Sequence, residues 1–300
     1  MSFEIRDTSG ATCVMDISAY LQRIGYEGDR APTMSVLRDV HRCHVLTIPY
    51  ENLDVVKQIP VDQEPAHLFD KMVTRGRGGW CYEMNGLLGW ALKELGFDVT
   101  RQIGGVMRER MGDAAFGNHL VLRVNIDDAH VLADAGLGDG PVAPLLLQAG
   151  SQKQGHRAFR LEDVEPGIMR VHNHDGAMPP SFDFRYHPEH GGFLAPYADE
   201  ATLSETCTAL QVDEQSMFRQ NLIRQQVRDD GISSLVGQVL TVDGERTLLN
   251  SAGELETALE QHFGLYQSVA DIWDHVVARH GMLFGDAAAD EIKLGPPPSD

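Results

Sequence analysis

The spacing of apolar residues changes near Gly96, and this change limits the possible folds more than any other feature of the 300-residue sequence. Before it, apolar side chains recur at every third or fourth position, which is the pattern of amphipathic helices. After it come short alternating runs separated by Gly, Asp and Pro, which predict the strands of a β-barrel or sandwich. The sequence therefore predicts a multidomain α+β fold with a helical domain (1–97), a β-barrel domain (98–218) and an α/β domain that ends in a loose tail (219–300).

Particular runs define the predicted elements. In the first domain, apolar stripes predict helices around residues 17–24, 37–44 and 68–72, and a fourth helix that begins at Cys81 and ends at Gly96. In the second domain, strands are predicted at about 100–106, 119–126, 130–137 and 158–161. In the third domain, the prediction is a strand pair at 235–242 and 246–249, followed by helices at 251–263 and 269–280.

Composition excludes several classes of partner. The formal charge is −19, and the 25 Lys and Arg residues form no dense cluster, so we expect no nucleic-acid partner. The four cysteines lack CxxC spacing and the chain begins without a basic segment followed by an apolar run, which argues against secretion and a structural zinc site. No apolar run approaches the roughly 20 residues of a membrane span. We therefore expect a cytoplasmic protein without a metal or a membrane partner.

Cys81 follows a glycine pair, Gly78 and Gly79, and opens an apolar helical run. The glycines allow a tight turn, and the free N–H groups at a helix start stabilise a thiolate. A cationic neighbour such as Arg75 or Arg77 would act in the same direction. The alternative is a buried core residue, which is the commoner role of a cysteine in general. Partners elsewhere in the chain must decide between the two.

Residues 119–126 and 129–134 read as a β-hairpin closed by a two-residue turn. In that register Asp134 is the diagonal neighbour of His119 on the same face. Diagonal residues are about 7–8 Å apart, which lets a carboxylate accept an imidazole N–H. A turn one residue longer or shorter would put the two side chains on opposite faces. Asp134 also interrupts an apolar run, and a buried carboxylate needs a partner.

A thiol at a helix start, an imidazole and a carboxylate together fit acyl transfer. His119 would remove the proton of Cys81, Asp134 would fix the tautomer of the imidazole, and backbone N–H groups near the thiol would hold an oxyanion. Thiol hydrolases, transglutaminase-like enzymes and acyltransferases that use thioesters all share this chemistry. The residues alone leave these three classes open.

Four ordered motifs make the chain similar to the arylamine N-acetyltransferase family. They are IPYENL (48–53), RGGWCYEMN (77–85), NHL (118–120) and DAGLG (134–138). The intervals between them also resemble those of the family, and shorter similarities lie near both ends, at YLQRIG (20–25) and HFGL (262–265). The resemblance implies a helical first domain, a β-barrel second domain and an α/β third domain that lids the cleft, with the cysteine between the first two.

The resemblance also implies a function in xenobiotic metabolism. A ping-pong reaction would move an acetyl group from acetyl-CoA through Cys81 to the nitrogen of an arylamine or arylhydrazine, or to the oxygen of an arylhydroxylamine. The family's catalytic roles would fall on Cys81, His119 and Asp134. The residues expected to contact acetyl-CoA are Gly136, Leu137, Gly138, Ser216 and Phe218. Those expected to contact the acceptor are Tyr50, Trp80, Tyr82 and Phe218.

The chain departs from the family's usual residues at several of these positions. Tyr50 stands where Phe is usual, Asn118 where Thr is frequent, and Leu137 where Phe is usual. The stretch before Phe218 keeps Ser216 but lacks the proline often found there. These departures concern how the donor and the acceptor are held.

Other functions stay open. An amide synthase would use the same triad to release a thioester-bound polyketide as a macrolactam, and a thiol hydrolase or transglutaminase would pass the acyl group to water or to a lysine. A non-catalytic binding protein would have an unreactive Cys81. The histidines at 172, 174, 187 and 190 are interpreted as a solvated loop rather than a metal site. We expect small-molecule partners and leave a homo-oligomer open.

Overall fold

Helices dominate the first third of the computed structural model, which describes residues 4–6, 12–185, 200–229 and 231–285. The helices are α1 (Ile17–Arg23), α2 (Met34–Thr47), α3 (Leu53–Val56), α4 (Pro65–Phe69), which continues as a π-helical turn (Asp70–Thr74), and α5 (Cys81–Glu94). Three short strands accompany them, β1 (Glu4–Arg6), β2 (Thr12–Val14) and β3 (Tyr50–Glu51). Gly96 has a φ of +88° just beyond α5, a conformation that favours glycine and ends the helix as predicted.

Eight antiparallel strands form a sheet that curls into a nearly closed barrel, in agreement with the predicted β-barrel. The strands are β4 (Asp98–Val106), β5 (Phe116–Ile126), β6 (Ala129–Ala133), β7 (Leu145–Leu146), β8 (Gly150–Gln154), β9 (Arg157–Glu165), β10 (Ile168–His172) and β11 (Ser181–Arg185). Their order in the sheet is β7-β6-β5-β4-β11-β10-β9-β8. A short helix, α6 (Arg108–Met111), follows β4. Val121, Phe159 and Phe182 belong to the apolar core of this sheet.

The β5–β6 hairpin has the register that a two-residue turn predicts. Ile126 pairs with Ala129, and Leu122 pairs with Ala133. The last paired residue of β6 is Ala133, so Asp134 lies one position beyond the strand. The strand predicted at 130–137 is therefore shorter than expected, and its end is the start of a loop.

The last part of the chain combines a second sheet with helices. The helices are α7 (Glu200–Val212), α8 (Met217–Gln220), α9 (Ala252–Phe263) and α10 (Trp273–Phe284). The strands are β12 (Ile223–Val227), β13 (Ile232–Val236), β14 (Val239–Val242) and β15 (Glu245–Leu248). These four strands and β3 form an antiparallel sheet in the order β15-β14-β13-β12-β3. A strand from the first third of the chain therefore completes the sheet of the last third.

Three predictions for this part are wrong in detail. The run at 235–242 is divided between β13 and β14, because Gly237, with a φ of +57°, turns the chain between them. The last helix begins at Trp273 rather than at residue 269. The helix α7 lies within the stretch that was assigned to strands. Within the described ranges, no helix is long and apolar enough to cross a membrane.

Candidate active site

Cys81 is the first residue of α5, as the sequence predicts. The chain approaches it through a tight passage, because a Cβ placed on Gly78 would lie 2.1 Å from the carbonyl oxygen of Pro49. The carboxylate of Glu83 accepts the main-chain N–H of Trp80 at 3.2 Å, which satisfies a donor at the helix start. The thiol is thus fixed at a helix N-terminus whose preceding turn tolerates no side chain at Gly78.

His119 pairs with a buried carboxylate near the thiol. Its Nε2 lies 2.8 Å from Oδ2 of Asp134. Cys81 is close enough to raise the pKa of His119, and the thiol lies 3.9 Å from the carbonyl oxygen of the neighbouring Asn118. Burial disfavours the charged imidazole, but the Asp134 carboxylate and Cys81 favour it more strongly, so the pKa of His119 is raised from 6.5 to about 10. The three side chains belong to residues that are only 1–2% exposed. An imidazolium therefore faces the thiol at neutral pH.

The carboxylate of Asp134 is held by three donors. Its Oδ1 accepts the side-chain amide of Asn85 at 2.8 Å and the main-chain N–H of Gly136 at 2.9 Å, while Oδ2 faces His119. Burial raises the pKa of a carboxyl group, but here His119 and these donors outweigh it and hold the pKa of Asp134 below its ordinary value. Asp134 is therefore a fixed anion, which is the state that an orienting carboxylate requires.

Two residues around Asp134 were not predicted as site residues. Asn85 lies one helical turn after Cys81, and its Oδ1 also accepts the main-chain N–H of Ala135 at 2.8 Å. His41 on α2 accepts the main-chain N–H of Asp134 at Nε2, at 3.1 Å. The i+4 spacing from the nucleophile could have indicated Asn85. The sequence showed His41 only as a member of an apolar helical stripe.

The predicted acceptor contacts surround the thiol. Tyr50, Trp80, Tyr82 and Phe218 share one buried cluster with Cys81. The Trp80 and Phe218 rings pack edge to face with centroids 5.2 Å apart. The hydroxyl of Tyr82 donates to the carbonyl oxygen of Gly117 at 2.7 Å, so its polar end is already satisfied. The remaining members of this cluster are Val55, Leu120, Leu203 and Cys207. The surroundings of the thiol are thus apolar and rich in aromatic rings.

The glycines of the predicted CoA-contacting loop lie close to other parts of the chain. A Cβ on Gly136 would lie 2.8 Å from the Cα of Cys81 and 2.7 Å from Nδ2 of Asn85. Gly138 has a φ of +72°, and a Cβ there would lie 2.1 Å from Oε1 of Gln225 on β12. Both positions therefore favour glycine, the first because of the approach to the Cα of the nucleophile and the second because of its positive φ.

The other predicted CoA contacts have structural roles. The side chain of Leu137 packs with the buried apolar residues of the barrel. The Oγ of Ser216 accepts the main-chain N–H of Phe218 at 3.3 Å and so caps α8. Of the five predicted residues, the structure brings Gly136 and Phe218 next to Cys81.

A buried network of charges lies beside the start of α5. The Nζ of Lys71 lies 2.8 Å from both carboxylate oxygens of Glu83 and 2.7 Å from Oδ2 of Asp54. Arg77 donates to Glu51 at 2.6 Å and to Asp54 at 3.0 Å. Burial raises the pKa of Glu83 from 4.5 to about 6, although Lys71 opposes the shift. Every charge of this network is therefore compensated by a buried partner.

The arginines before Cys81 do not have the role that the sequence suggested. Arg77 is held by two carboxylates of the buried network, and Arg75 pairs with Asp70 at 2.7 Å on the surface. The cation that faces the thiol is His119 instead.

The histidines at 172 and 174 each pair with a carboxylate. His172 lies at the end of β10 with its Nε2 2.7 Å from Glu162, so the loop prediction is wrong there. The Nε2 of His174 lies 3.0 Å from Asp139. The other two histidines of that prediction, 187 and 190, lie outside the described residues. In the ranges that the structure describes, no group of three or more His, Cys, Asp or Glu residues could hold a metal ion.

Comparisons with known proteins match most of the chain. A family model described as N-acetyltransferase matches residues 33–272. The arylamine N-acetyltransferase of Mycobacterium tuberculosis is 33% identical over 269 residues, which cover 86% of this chain and 91% of that protein. The chain belongs to the arylamine N-acetyltransferase family. It is therefore an acyltransferase by family.

Two further arylamine N-acetyltransferases are informative about substrates. The Salmonella typhimurium protein named arylamine N-acetyltransferase / N-hydroxyarylamine O-acetyltransferase is 33% identical over 162 residues, covering 53% of this chain and 58% of that protein. The structure of the Mycobacterium marinum arylamine N-acetyltransferase in complex with CoA matches with a TM-score of 0.72 at 32% identity, covering 88% of this chain and 98% of that chain. The mixed fold with its curled sheet is thus the fold of this family.

Proposed function

We propose that the protein transfers an acetyl group from acetyl-CoA to the nitrogen of arylamines and arylhydrazines, and to the oxygen of arylhydroxylamines, through an acetylated Cys81. The observation that carries the proposal is the 2.8 Å contact of His119 with Asp134 beside Cys81, which helps to raise the pKa of His119. The substrates are suggested by the relative in complex with CoA and by the relative named as an O-acetyltransferase.

The first half of the proposed reaction begins from a thiolate–imidazolium pair. The sulfur of Cys81 attacks the carbonyl carbon of the thioester, and main-chain N–H groups at the start of α5 stabilise the oxyanion. As the tetrahedral intermediate collapses, the bond from carbon to the CoA sulfur breaks, and His119 donates its proton to that sulfur. Free CoA leaves, and an acetylated Cys81 remains beside a neutral imidazole.

The second half returns the enzyme to its starting state. The acceptor nitrogen attacks the acetyl carbon, His119 accepts the proton released from that nitrogen, and the Cys81 thiolate leaves. Aromatic amines suit this step because they are unprotonated at neutral pH, whereas aliphatic amines with a pKa of about 10 are mostly protonated. The cluster that contains Tyr50, Trp80, Tyr82 and Phe218 supports an aromatic acceptor.

For acetyl-CoA we propose contacts with the loop at residues 136–138 and with the start of α8. The absence of a side chain at Gly136 beside Cys81 supports a close approach of the thioester there. Leu137, Gly138, Ser216 and Phe218 complete the proposed set. The proposal includes three domains, at 1–97, 98–218 and 219–300, of which the last covers the cleft, and a cytoplasmic location.

The release of free CoA from acetyl-CoA, measured with a panel of arylamines and arylhydrazines, tests this function. In the wild-type protein the rate of CoA release should increase with the concentration of the amine, and Cys81→Ala should abolish the release. Cys43→Ala is the matched control, because Cys43 is a half-buried cysteine on α2, and it should retain the activity. If no acceptor accelerates CoA release while iodoacetamide still alkylates Cys81, the donor is wrong, and an amide synthase or a hydrolase becomes the better hypothesis.

A further inference from the structure

His41 contacts Asp134 through the main chain rather than through the carboxylate. It lies on α2, is fully buried, and its Nε2 accepts the main-chain N–H of Asp134 at 3.1 Å. That N–H lies one residue beyond the last pair of the β5–β6 ladder, where no strand partner is available for it. A buried N–H without an acceptor is destabilising, so this bond helps to determine where the chain leaves the strand.

The bond also fixes the protonation of His41. An imidazole nitrogen that accepts a hydrogen bond carries no proton, so the proton of a neutral His41 lies on Nδ1. Burial lowers the pKa of His41 below 6.5, against the opposing charge of Asp134. The titratable groups that interact with His41 are Asp134, at the end of β6, and His44, on its own helix. Asp134 thus lies between a neutral imidazole and a charged one.

The two imidazoles hold different parts of the same residue. His119 takes the carboxylate oxygen Oδ2, whereas His41 takes the main-chain N–H. The strand itself holds Asp134 only on its N-terminal side, through the pair of Ala133 with Leu122. A shift of the main chain at Asp134 would therefore move the carboxylate away from His119. An error of about 1 Å in such a group can cost about a hundredfold in rate.

We propose that His41 is a positioning residue for the reaction, which holds the main chain of Asp134 so that its carboxylate meets His119. The inference rests on the proposed roles of Cys81, His119 and Asp134. His41 touches neither substrate nor reacting atoms in this account. It acts by keeping the carboxylate of Asp134 within hydrogen-bond distance of the His119 imidazole.

Two substitutions of His41 and one control test the proposal. His41→Leu removes the acceptor, and His41→Gln keeps an acceptor near the position of Nε2. His44→Leu is the control, because His44 is equally buried on the same helix but bonds to the Tyr20 hydroxyl at 2.9 Å. The readouts are kcat/KM for acetyl transfer and the rate of alkylation of Cys81 by iodoacetamide from pH 5 to 9, followed by mass spectrometry of the Cys81 peptide.

A positioning role predicts a specific pattern. His41→Leu should lower kcat/KM by about tenfold or more, and its pH profile of Cys81 alkylation should shift to higher pH relative to the wild type. His41→Gln should restore most of the activity and the wild-type profile, and His44→Leu should keep the wild-type profile. Equal losses in His41→Leu and His44→Leu with unchanged profiles would overturn the proposal, since they would indicate a structural role only.

A measurement on the wild-type protein covers the case in which His41→Leu does not fold. In ¹⁵N-labelled protein, a coupling through the hydrogen bond between Nε2 of His41 and the amide nitrogen of Asp134 should be detectable, and its absence would overturn the proposal. Failure of the proposed function can be distinguished from failure of this positioning role. If only the proposed function is wrong, acetyl transfer is absent in the wild type, but the pH profile of alkylation still differs between His41→Leu and His44→Leu.

Discussion

Removal of the Lys71 ammonium should destabilise the protein far more than removal of a lysine whose carboxylate partner is exposed to solvent. The Nζ of Lys71 lies within 2.8 Å of Glu83 and Asp54, in a side chain that is 5% exposed. Lys71→Met leaves Glu83 with no cation and Asp54 with Arg77 alone. Breaking a buried ion pair from one side costs about 3–5 kcal/mol of the free energy of unfolding. Lys57 pairs with Asp271 in the comparison pair, where the Lys57 side chain is 14% exposed but that of Asp271 is 60% exposed. Water can solvate Asp271 after Lys57→Met, so that change should cost about 1 kcal/mol.

The loss in Lys71→Met should also depend on pH, and its sign follows from Glu83. The pKa of Glu83 in the folded protein is about 6, above the ordinary 4.5, so the folded state binds this proton more tightly than the unfolded state. Stability therefore falls as pH rises from about 4.5 to 6, by about 2 kcal/mol in the wild type. Without Lys71 the pKa of Glu83 rises further, and the falling range extends to higher pH.

Urea unfolding of both variants at pH 5 and pH 7.5 measures these effects. The cost of Lys71→Met should be larger at pH 7.5, where Glu83 must stay charged without its partner, than at pH 5, where it can be protonated. The cost of Lys57→Met should be small at both values. Equal costs for the two variants, or a Lys71→Met cost that does not change with pH, would refute the reasoning about the buried network.

Two further predictions concern the site itself. Asp134→Asn should remove the main charge that raises the pKa of His119 to about 10, so Cys81 alkylation at pH 7 should slow by at least about tenfold. Asp139→Asn alters a buried Asp that pairs with His174 instead and should keep the wild-type pH profile. An unchanged profile in Asp134→Asn would contradict the assignment. Gly136→Ala should lower kcat/KM by about a hundredfold, because the new Cβ would lie 2.8 Å from the Cα of Cys81. The control is Gly253→Ala, at an exposed position of α9 with nothing within 4 Å, which should keep the activity and stabilise the protein by up to about 1 kcal/mol. Equal activity in the two variants would show that the loop around Gly136 moves to accommodate the new side chain.

Local rules were sufficient for much of the fold and for the centre of the site. The start of α5 was predictable because a glycine pair precedes an apolar helical run. The β5–β6 register was predictable because a two-residue turn determines which residues face each other, and the observed pairs follow it. The proximity of His119 and Asp134 followed from that register, and their Nε2–Oδ2 distance is 2.8 Å.

The features that the sequence does not predict depend mostly on contacts between residues that are far apart along the chain. The helix α7 contains four Thr and Ser residues, at 202, 204, 206 and 208, which favour strands or helix caps. It is helical because Leu203 and Cys207 pack in the buried cluster that contains Cys81. The turn at Gly237 was hidden because apolar residues flank it on both sides. The bond from His41 to Asp134 spans 93 residues, and no pattern within a single element reveals it.

The separation of His41 and Cys81 from Asp134 along the chain has a consequence for synthesis. A chain made from its N-terminus presents Cys81 before His119 and Asp134 exist, and before Gln225, against which Gly138 packs, has been added. Until the β5–β6 hairpin has closed, no imidazole and carboxylate are held beside the thiol. The nascent protein therefore presents Cys81 without its partners, and the site that we propose as catalytic is assembled only once the barrel is folded.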